Sequence, residues 1–565
     1  MRLIFALWHI PFSRHIHRLI NRSRIKVYGL FPALFFKYFK HKADRINVKV
    51  PSLNQFANLR AAISHYYSEN NFNASVDTNG SLTITVLNED FSVRICDLPY
   101  IITNEGSNEL QKMSIGYCGF FAEMVGDLTK NRLHFDRILT SMSSKNCWGD
   151  SSLFNSIWHP YCVSHRVINY ILLLIRLDEE GLRDTKLYKN LISEIAFCFV
   201  FIRSSVEREL HYNHYSKNMV SLYLVQCVLG IEIDNAFFSE FTHAIDHQVN
   251  LDGMHAELCP MYHRHFSNDL AMLQSVVGPN SVFNTYIQNM NKKMVECSSL
   301  MRHKGALSLF GDSWEGEASI PDVPYDSNVV ALLNNSGYFV YRDRELSFIL
   351  DIGCTGPDDN PGHAHADYLH LELYAGETPV FVDYGVPTYS IGHERTYSRS
   401  SFAHNGPCLQ HRSFLETWSS FRTGRRSKST LVSLKKMSDS LIVEGVVNPY
   451  FDRSFHIYRQ ITRSEDKIEI KDTWKNLEDR RSRPFSRFII PNESVCGLEI
   501  FEYQSSVHQI DIVGGWVLEL NAKESRCEAC VYYSEFGAPR NGLALNLIPM
   551  NAGKDGVTKV TLTKV

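Results

Sequence analysis

The sequence predicts an α+β multidomain chain, a many-helix array followed by an antiparallel β-sandwich, with the change near residue 325. Two observations carry this. Apolar residues recur at intervals of three and four over Val163 to Leu177, Leu187 to Arg203, Tyr215 to Leu229 and His265 to Val277, the period of helices with one buried face. Beyond Phe310-Gly-Asp-Ser-Trp314 the period falls to two, in short segments bounded by turn residues such as Ser438-Asp-Ser440 and Arg463-Ser-Glu-Asp466. A length of 565 residues exceeds one ordinary core, so more than one packed unit is expected.

Residues 1–50 form a basic segment. Its first apolar run is broken by His9 and Pro11, and Ser13 to Arg24 is rich in Arg and His where the small-residue cleavage site of a secretory leader would stand. Up to Arg45, ten Lys and Arg residues face one acid, and Ile16, Leu19 and Ile20 have helical spacing. A first helix packed on the body is expected, with a basic amphipathic helix touching anionic membrane as the alternative. The expected location is cytoplasmic or peripherally membrane-associated, with the periplasm as alternative.

Residues 51–325 carry the helices, joined by Gly, Asn and Asp, without the recurrent strands of a βαβ fold. Ala74 to Cys96 is the exception, and its alternating Ser81 to Leu87 predicts a small hairpin. Residues 326–565 carry strands at Tyr338 to Ile352, Tyr368 to Tyr374, Pro379 to Tyr384, Leu441 to Val446, Phe455 to Ile461, Lys467 to Trp474 and Gly515 to Leu520, whose sheets cover each other's apolar faces. No run reaches the 18 apolar residues of a membrane span.

A formal charge of -3 argues against a nucleic-acid partner. Thirteen scattered cysteines favour free thiols, and Cys527 and Cys530, which a strand would place on opposite faces, are not expected to form a metal clasp or a redox pair.

Three clusters concentrate chemistry: Asn213-His214, Asp252 to His263, and Pro361-Gly-His-Ala-His-Ala-Asp367 with Val-Asp-Tyr-Gly at 382–385 and Ala-His-Asn at 403–405. In an extended segment His363 and His365 share a face. His365, Asp383 and His404 are zinc-ligand types arriving on strand-like segments, and three protein ligands plus water suit Zn²⁺. Each cluster also has an ordinary structural reading. Taken alone, Asn213-His214 reads first as a helix cap or a satisfied polar contact, and Tyr262 equally as a core aromatic with its hydroxyl bonded.

Together these motifs resemble the heparinase II/III family of polysaccharide lyases. Trp158-His-Pro160, Arg166 to Tyr170, Asn213-His214, the Asp252 to His263 stretch and Phe310-Gly-Asp312 follow the family's order through the helical half. The resemblance implies an (α/α) toroid of helical hairpins, a C-terminal sandwich with the cleft between them, and β-elimination on a uronic-acid-containing polysaccharide. By the same resemblance Asn213 and His363 neutralise the substrate carboxylate, while His214 and Tyr262 move protons, Tyr262 as general acid. Glu257, His263 and Asn405 are assigned to substrate contacts. His365, Asp383 and His404 match a zinc site that braces the loop carrying His363. The partner is an acidic polysaccharide. Two alternatives remain: glycoside hydrolysis by a carboxylate pair such as Asp252 and Glu257, and a non-catalytic polysaccharide-binding or assembly protein of a surface-polysaccharide pathway.

Overall fold

The computed structural model describes residues 9–68, 73–77, 81–98, 109–142, 154, 156–278, 280–317, 323–476, 483–501, 506–550 and 555–565. The linker residues Pro321 and Asp322 and most of the first apolar run lie outside them.

The predicted periods are realised as helices at Pro160–Glu179, Lys186–Ser204, Tyr212–Leu229 and Pro260–Gln274. The first three pack in succession, and Ala57–Ser68 lies against both Pro160–Glu179 and Pro260–Gln274, so the array curves back on itself. Pro160–Glu179 is buried over almost its whole length, which explains why its apolar residues run all round rather than along one stripe. The predicted hairpin is a three-stranded antiparallel sheet, Asn73–Val76, Ser81–Val86 and Glu89–Arg94.

The C-terminal part holds three larger sheets of five, four and eight strands, and every strand pair in them is antiparallel. The long stretch Tyr338 to Ile352 is a hairpin of two strands, Tyr338–Arg342 and Leu346–Asp351, because Asp343 accepts the backbone N–H groups of Glu345 and Leu346 and turns the chain. Inner faces of the sheets share one core containing Leu350, Leu371, Phe381, Ile457, Trp474, Phe488 and Leu562. Smaller apolar clusters join the two parts. Met254, Cys297 and Phe310 pack on Val329 and Tyr338, and Met261, Tyr262 and Trp314 pack on Val386 and Phe536. A cleft is thereby held between walls that cannot slide freely.

Twelve cysteines among the described residues are free, Cys527 and Cys530 included.

Candidate active site

Two helix starts build one wall. The helix Tyr212–Leu229 begins after His211 (φ 54°), and Tyr212 itself has φ 44°. Residues with a Cβ rarely accept that region, so the turn is held from outside. The Tyr212 hydroxyl donates to Asp359 Oδ1 across the cleft at 2.9 Å. Asn213 and His214 thus point from the first helical turn into a cavity of about 840 Å³. Leu258 (φ 55°) makes the equivalent bend before Pro260–Gln274, where Pro260 opens the helix and Tyr262 reaches the same cavity.

His214 has a carboxylate behind it. Its Nδ1 lies 3.0 Å from Glu207 Oε1, and its ring stacks on Tyr161 at 4.3 Å. Asn218 fixes Glu207 from both sides, donating Nδ2–H to Oε2 at 3.3 Å and accepting the Glu207 backbone N–H at 2.9 Å. Burial pushes the Glu207 carboxyl up, but His159, His214 and these hydrogen bonds bring it below its ordinary value. An ionised Glu207 accepts a hydrogen bond from Nδ1–H, and the Nε2 lone pair of His214 is left for a substrate.

Tyr262 is the opposite kind of group. Its hydroxyl lies 3.4 Å from that of Tyr389 and its ring 4.2 Å from His363. Burial, then the neighbouring Tyr389 and Tyr161, hold the phenol well above its ordinary value, so it keeps its proton. Glu257 lines the cavity beside them. Burial and the charge of Asp312 raise it to about 8, against a hydrogen bond from the Asn213 backbone.

The β-domain supplies the other wall. His363 and His365 stand in a loop with turns rather than in an extended strand. They converge because they share a carboxylate: His363 Nδ1 is 2.9 Å from Asp312 Oδ2 and His365 Nε2 is 2.8 Å from Oδ1. Arg395 adds a bidentate contact to the same oxygens at 2.5 and 2.8 Å. Burial opposes a charged Asp312, but Arg395 and the two histidines hold it well below the carboxylate range. His363 itself is lowered, mainly by burial, with Asp312 opposing. Gly311 (φ 61°) makes the approach feasible, since a Cβ there would stand 3.2 Å from the His363 carbonyl.

Asp383 lies just past the strand Thr378–Phe381, and its Oδ2 is 2.7 Å from His404 Nδ1 and 3.1 Å from His370 Nε2. By distance, the third member of this group is His370 and not His365, with all three ligand atoms within 4.8 Å of one another. Proton placement says more. His370 Nδ1 accepts the Asn405 backbone N–H at 2.9 Å, so its own proton sits on Nε2. His365 Nδ1, His370 Nε2 and His404 Nε2 are buried with no hydrogen-bond partner among the described residues, and the rings of His365 and His370 each lie 5.4 Å from that of His404. Orphaned imidazole lone pairs beside a carboxylate fit a divalent cation.

Three residues are not where the sequence suggested. His263 lies behind the cavity, accepting the His255 N–H at Nδ1 (3.1 Å) and bonding the Met294 carbonyl through Nε2 (2.8 Å), so both ring nitrogens are spent on backbone. Asn405 is fully buried, donating to the Leu371 and Val382 carbonyls and accepting the Ile489 N–H, and it pins the loop rather than a sugar. Asp252 is engaged by the backbone of Asn335 and Ser336 at the domain seam, which removes it from a hydrolase pair with Glu257.

Residues 327–550 match the family model described as "Heparinase II/III-like, C-terminal". The chain carries a heparinase II/III-like C-terminal domain. Its fold is similar to a solved structure of heparinase III, with a TM-score of 0.65 and 14% identity, covering 92% of this chain and 86% of that one. The heparan sulfate lyase HepC from Pedobacter heparinus is also similar, with a TM-score of 0.53 and 13% identity over 94% of this chain and 88% of that one. No curated protein sequence matches the chain. At such identities the likeness establishes a shared fold, a helical toroid followed by a β-sandwich.

Several cavity-forming residues carried no clear sequence signal. Asp312 was legible only as a Gly-Asp step. Glu207 and Arg395 reach their partners only through tertiary folding. The helix Phe12–Leu30 brings Arg18 and Arg22 to the cavity rim, opposite Arg422. Burial and the like charges of Arg422, Arg22 and Arg14 lower Arg18, so this end of the cavity is cationic.

Proposed function

We propose that the protein is a polysaccharide lyase that cleaves a uronic-acid-containing polymer by β-elimination. The observation that carries the reading is one cavity holding a carboxylate-backed imidazole, His214, and a phenol kept protonated by burial, Tyr262. Groups whose surroundings push them toward opposite proton states are a base and an acid.

In this reading the Asn213 amide and His363 hold the uronate carboxylate, whose charge draws onto His363 the second proton that burial withholds in the free protein, with Asp312 and Arg395 fixing the ring. His214 Nε2 takes the C5 proton. The C5–H electron pair becomes the C4=C5 double bond as the C4–O bond breaks, and Tyr262 gives its proton to the leaving oxygen. Neutral Glu257 sits beside the carboxylate without repelling it, and Arg18, Arg22 and Arg422 suit an acidic polymer beyond the reacting sugar. Zn²⁺ at His404 and Asp383, with His365 or His370, would brace the loop carrying His363. The proton path stays with the side chains named.

Incubation with a panel of uronate polymers, heparan sulfate and alginate included, is expected to give the ultraviolet absorbance of an unsaturated uronate. Saturated products would favour hydrolysis, and tight binding without product would favour a binding protein. Elemental analysis of His404→Ala, His365→Ala and His370→Ala protein identifies the ligands: zinc is expected to be lost with His404 and with only one of the other two.

A further inference from the structure

The first described helix is turned inside out. Along Phe12–Leu30 one stripe at three- and four-residue spacing carries Arg14, Arg18, Asn21, Ile25 and Tyr28, and this stripe faces the protein. Arg14 is buried, donating to the Glu209 carbonyl at 2.9 Å and pairing with Asp359 of the β-domain. The stripe two residues out of phase, about 200° around the helix, carries Phe12, Ile16, Leu19 and Ile20, and it faces water. Phe12 is 78% exposed, Leu19 68% and Leu30 71%. The next helix, Pro32–Ala43, continues the face with Leu34 at 63%. Among the described residues, nine of the twenty-two exposed large apolar residues fall between Phe12 and Tyr38, and a water-facing surface does not gather them in this way.

Both helices are firmly seated. Tyr28 and Phe39 are buried in ring contact with each other, and Phe39 packs on Phe197 and Phe201 of Lys186–Ser204. The exposed stripe is therefore presented by a fixed scaffold.

We infer that this face docks on an anionic lipid surface, with the two helices lying in the plane of the interface. Charge selects lipid over protein. From Phe12 to Ala43 there is no Asp or Glu, and the exposed Arg22, Lys26, Lys37 and Lys42 flank the apolar stripe. A two-fold contact with a second copy would set two such basic helices against each other, whereas phosphate headgroups neutralise them. Among the described residues no helix is long and apolar enough to cross a membrane. The inward stripe of the same helix lines the cleft rim, so docking holds that rim beside the bilayer.

The test is vesicle flotation of the full chain with phosphatidylcholine and with mixed phosphatidylcholine–phosphatidylglycerol vesicles, comparing wild type with Leu19→Glu/Ile20→Glu/Leu34→Glu. All three positions are exposed, so an unchanged melting temperature is expected to show the variant folded. Wild type is expected to float with the anionic vesicles only, and the variant to lose at least about tenfold of the bound fraction. Absence of wild-type flotation, equal flotation of the variant, or concentration-dependent self-association abolished by the triple change would each overturn the proposal, the last by assigning the face to a second copy.

Discussion

The two walls of the cleft hold their histidines in different ways. His214, on the helical wall, is partly exposed and leans on a single carboxylate, Glu207, with an aromatic ring over it. His363, on the β wall, belongs to a buried network in which Asp312 serves two histidines and a bidentate arginine at once. A group that must exchange protons needs access and one orienting partner. A group that must hold a charge in place needs rigidity. The helical wall is thus suited to proton transfer and the β wall to binding, and the variants below separate the two.

The largest expected effect is on the helical wall. Tyr262→Phe removes the proposed acid while keeping the ring against His363, and kcat is expected to fall about 10²- to 10⁴-fold. Polymer affinity is expected to stay within a few-fold. An equal loss of binding would place Tyr262 in recognition instead.

On the β wall the first loss is stability. Asp312→Asn leaves Arg395 buried without a counter-charge, and breaking such a pair costs about 3–5 kcal/mol. Denaturant unfolding is expected to show this loss before any assay does. Glu207→Gln, by contrast, is expected to leave stability nearly intact, since Asn218 still bonds the side chain, while it changes the pH profile of kcat by altering the His214 tautomer. Similar unfolding midpoints for the two variants would erase the distinction between the walls.

The sequence revealed the parts more readily than their arrangement. Period changes located helices and strands because each buries one face, and short motifs carried His363, Tyr262 and Asn213-His214. Long-range partners left no such trace. Glu207 sits seven residues before His214 in an unremarkable polar stretch, and Arg395 meets Asp312 across 83 residues. His263 and Asn405 misled for the converse reason: their positions beside functional residues are used for backbone hydrogen bonds, which local sequence does not display. The spacing of His363 and His365 did place both rings at one point, but the cause is Asp312 and not a shared strand face.

Glu257 tests the electrostatics between the walls. Its carboxyl stays protonated in the fold up to about pH 8, whereas in the unfolded chain it ionises near its ordinary 4.5. The unfolded state therefore releases its proton first as pH rises, and the group's cost to stability grows from about pH 4.5 to 8 and is constant above. Glu257→Gln removes that cost, so the variant is expected to gain stability over wild type by a few kcal/mol at pH 8 and by about nothing at pH 4. It is also expected to flatten a rise in KM above pH 8, where an ionised Glu257 would repel the uronate. A rise that persists in the variant would show that Glu257 is not its source.

The smallest effect belongs to the rim. Arg18 is half-buried among like charges, so an anionic group on the polymer relieves a repulsion already present in the free protein. Arg18→Ala is expected to raise KM about two- to fivefold, the scale of an exposed ion pair, with kcat unchanged and the salt dependence of KM reduced. The effect is expected only on substrates long enough to extend past the reacting sugar. If a short oligosaccharide showed the same change, Arg18 would act at the reacting sugar itself, and the division into a chemical centre and a cationic rim would fail.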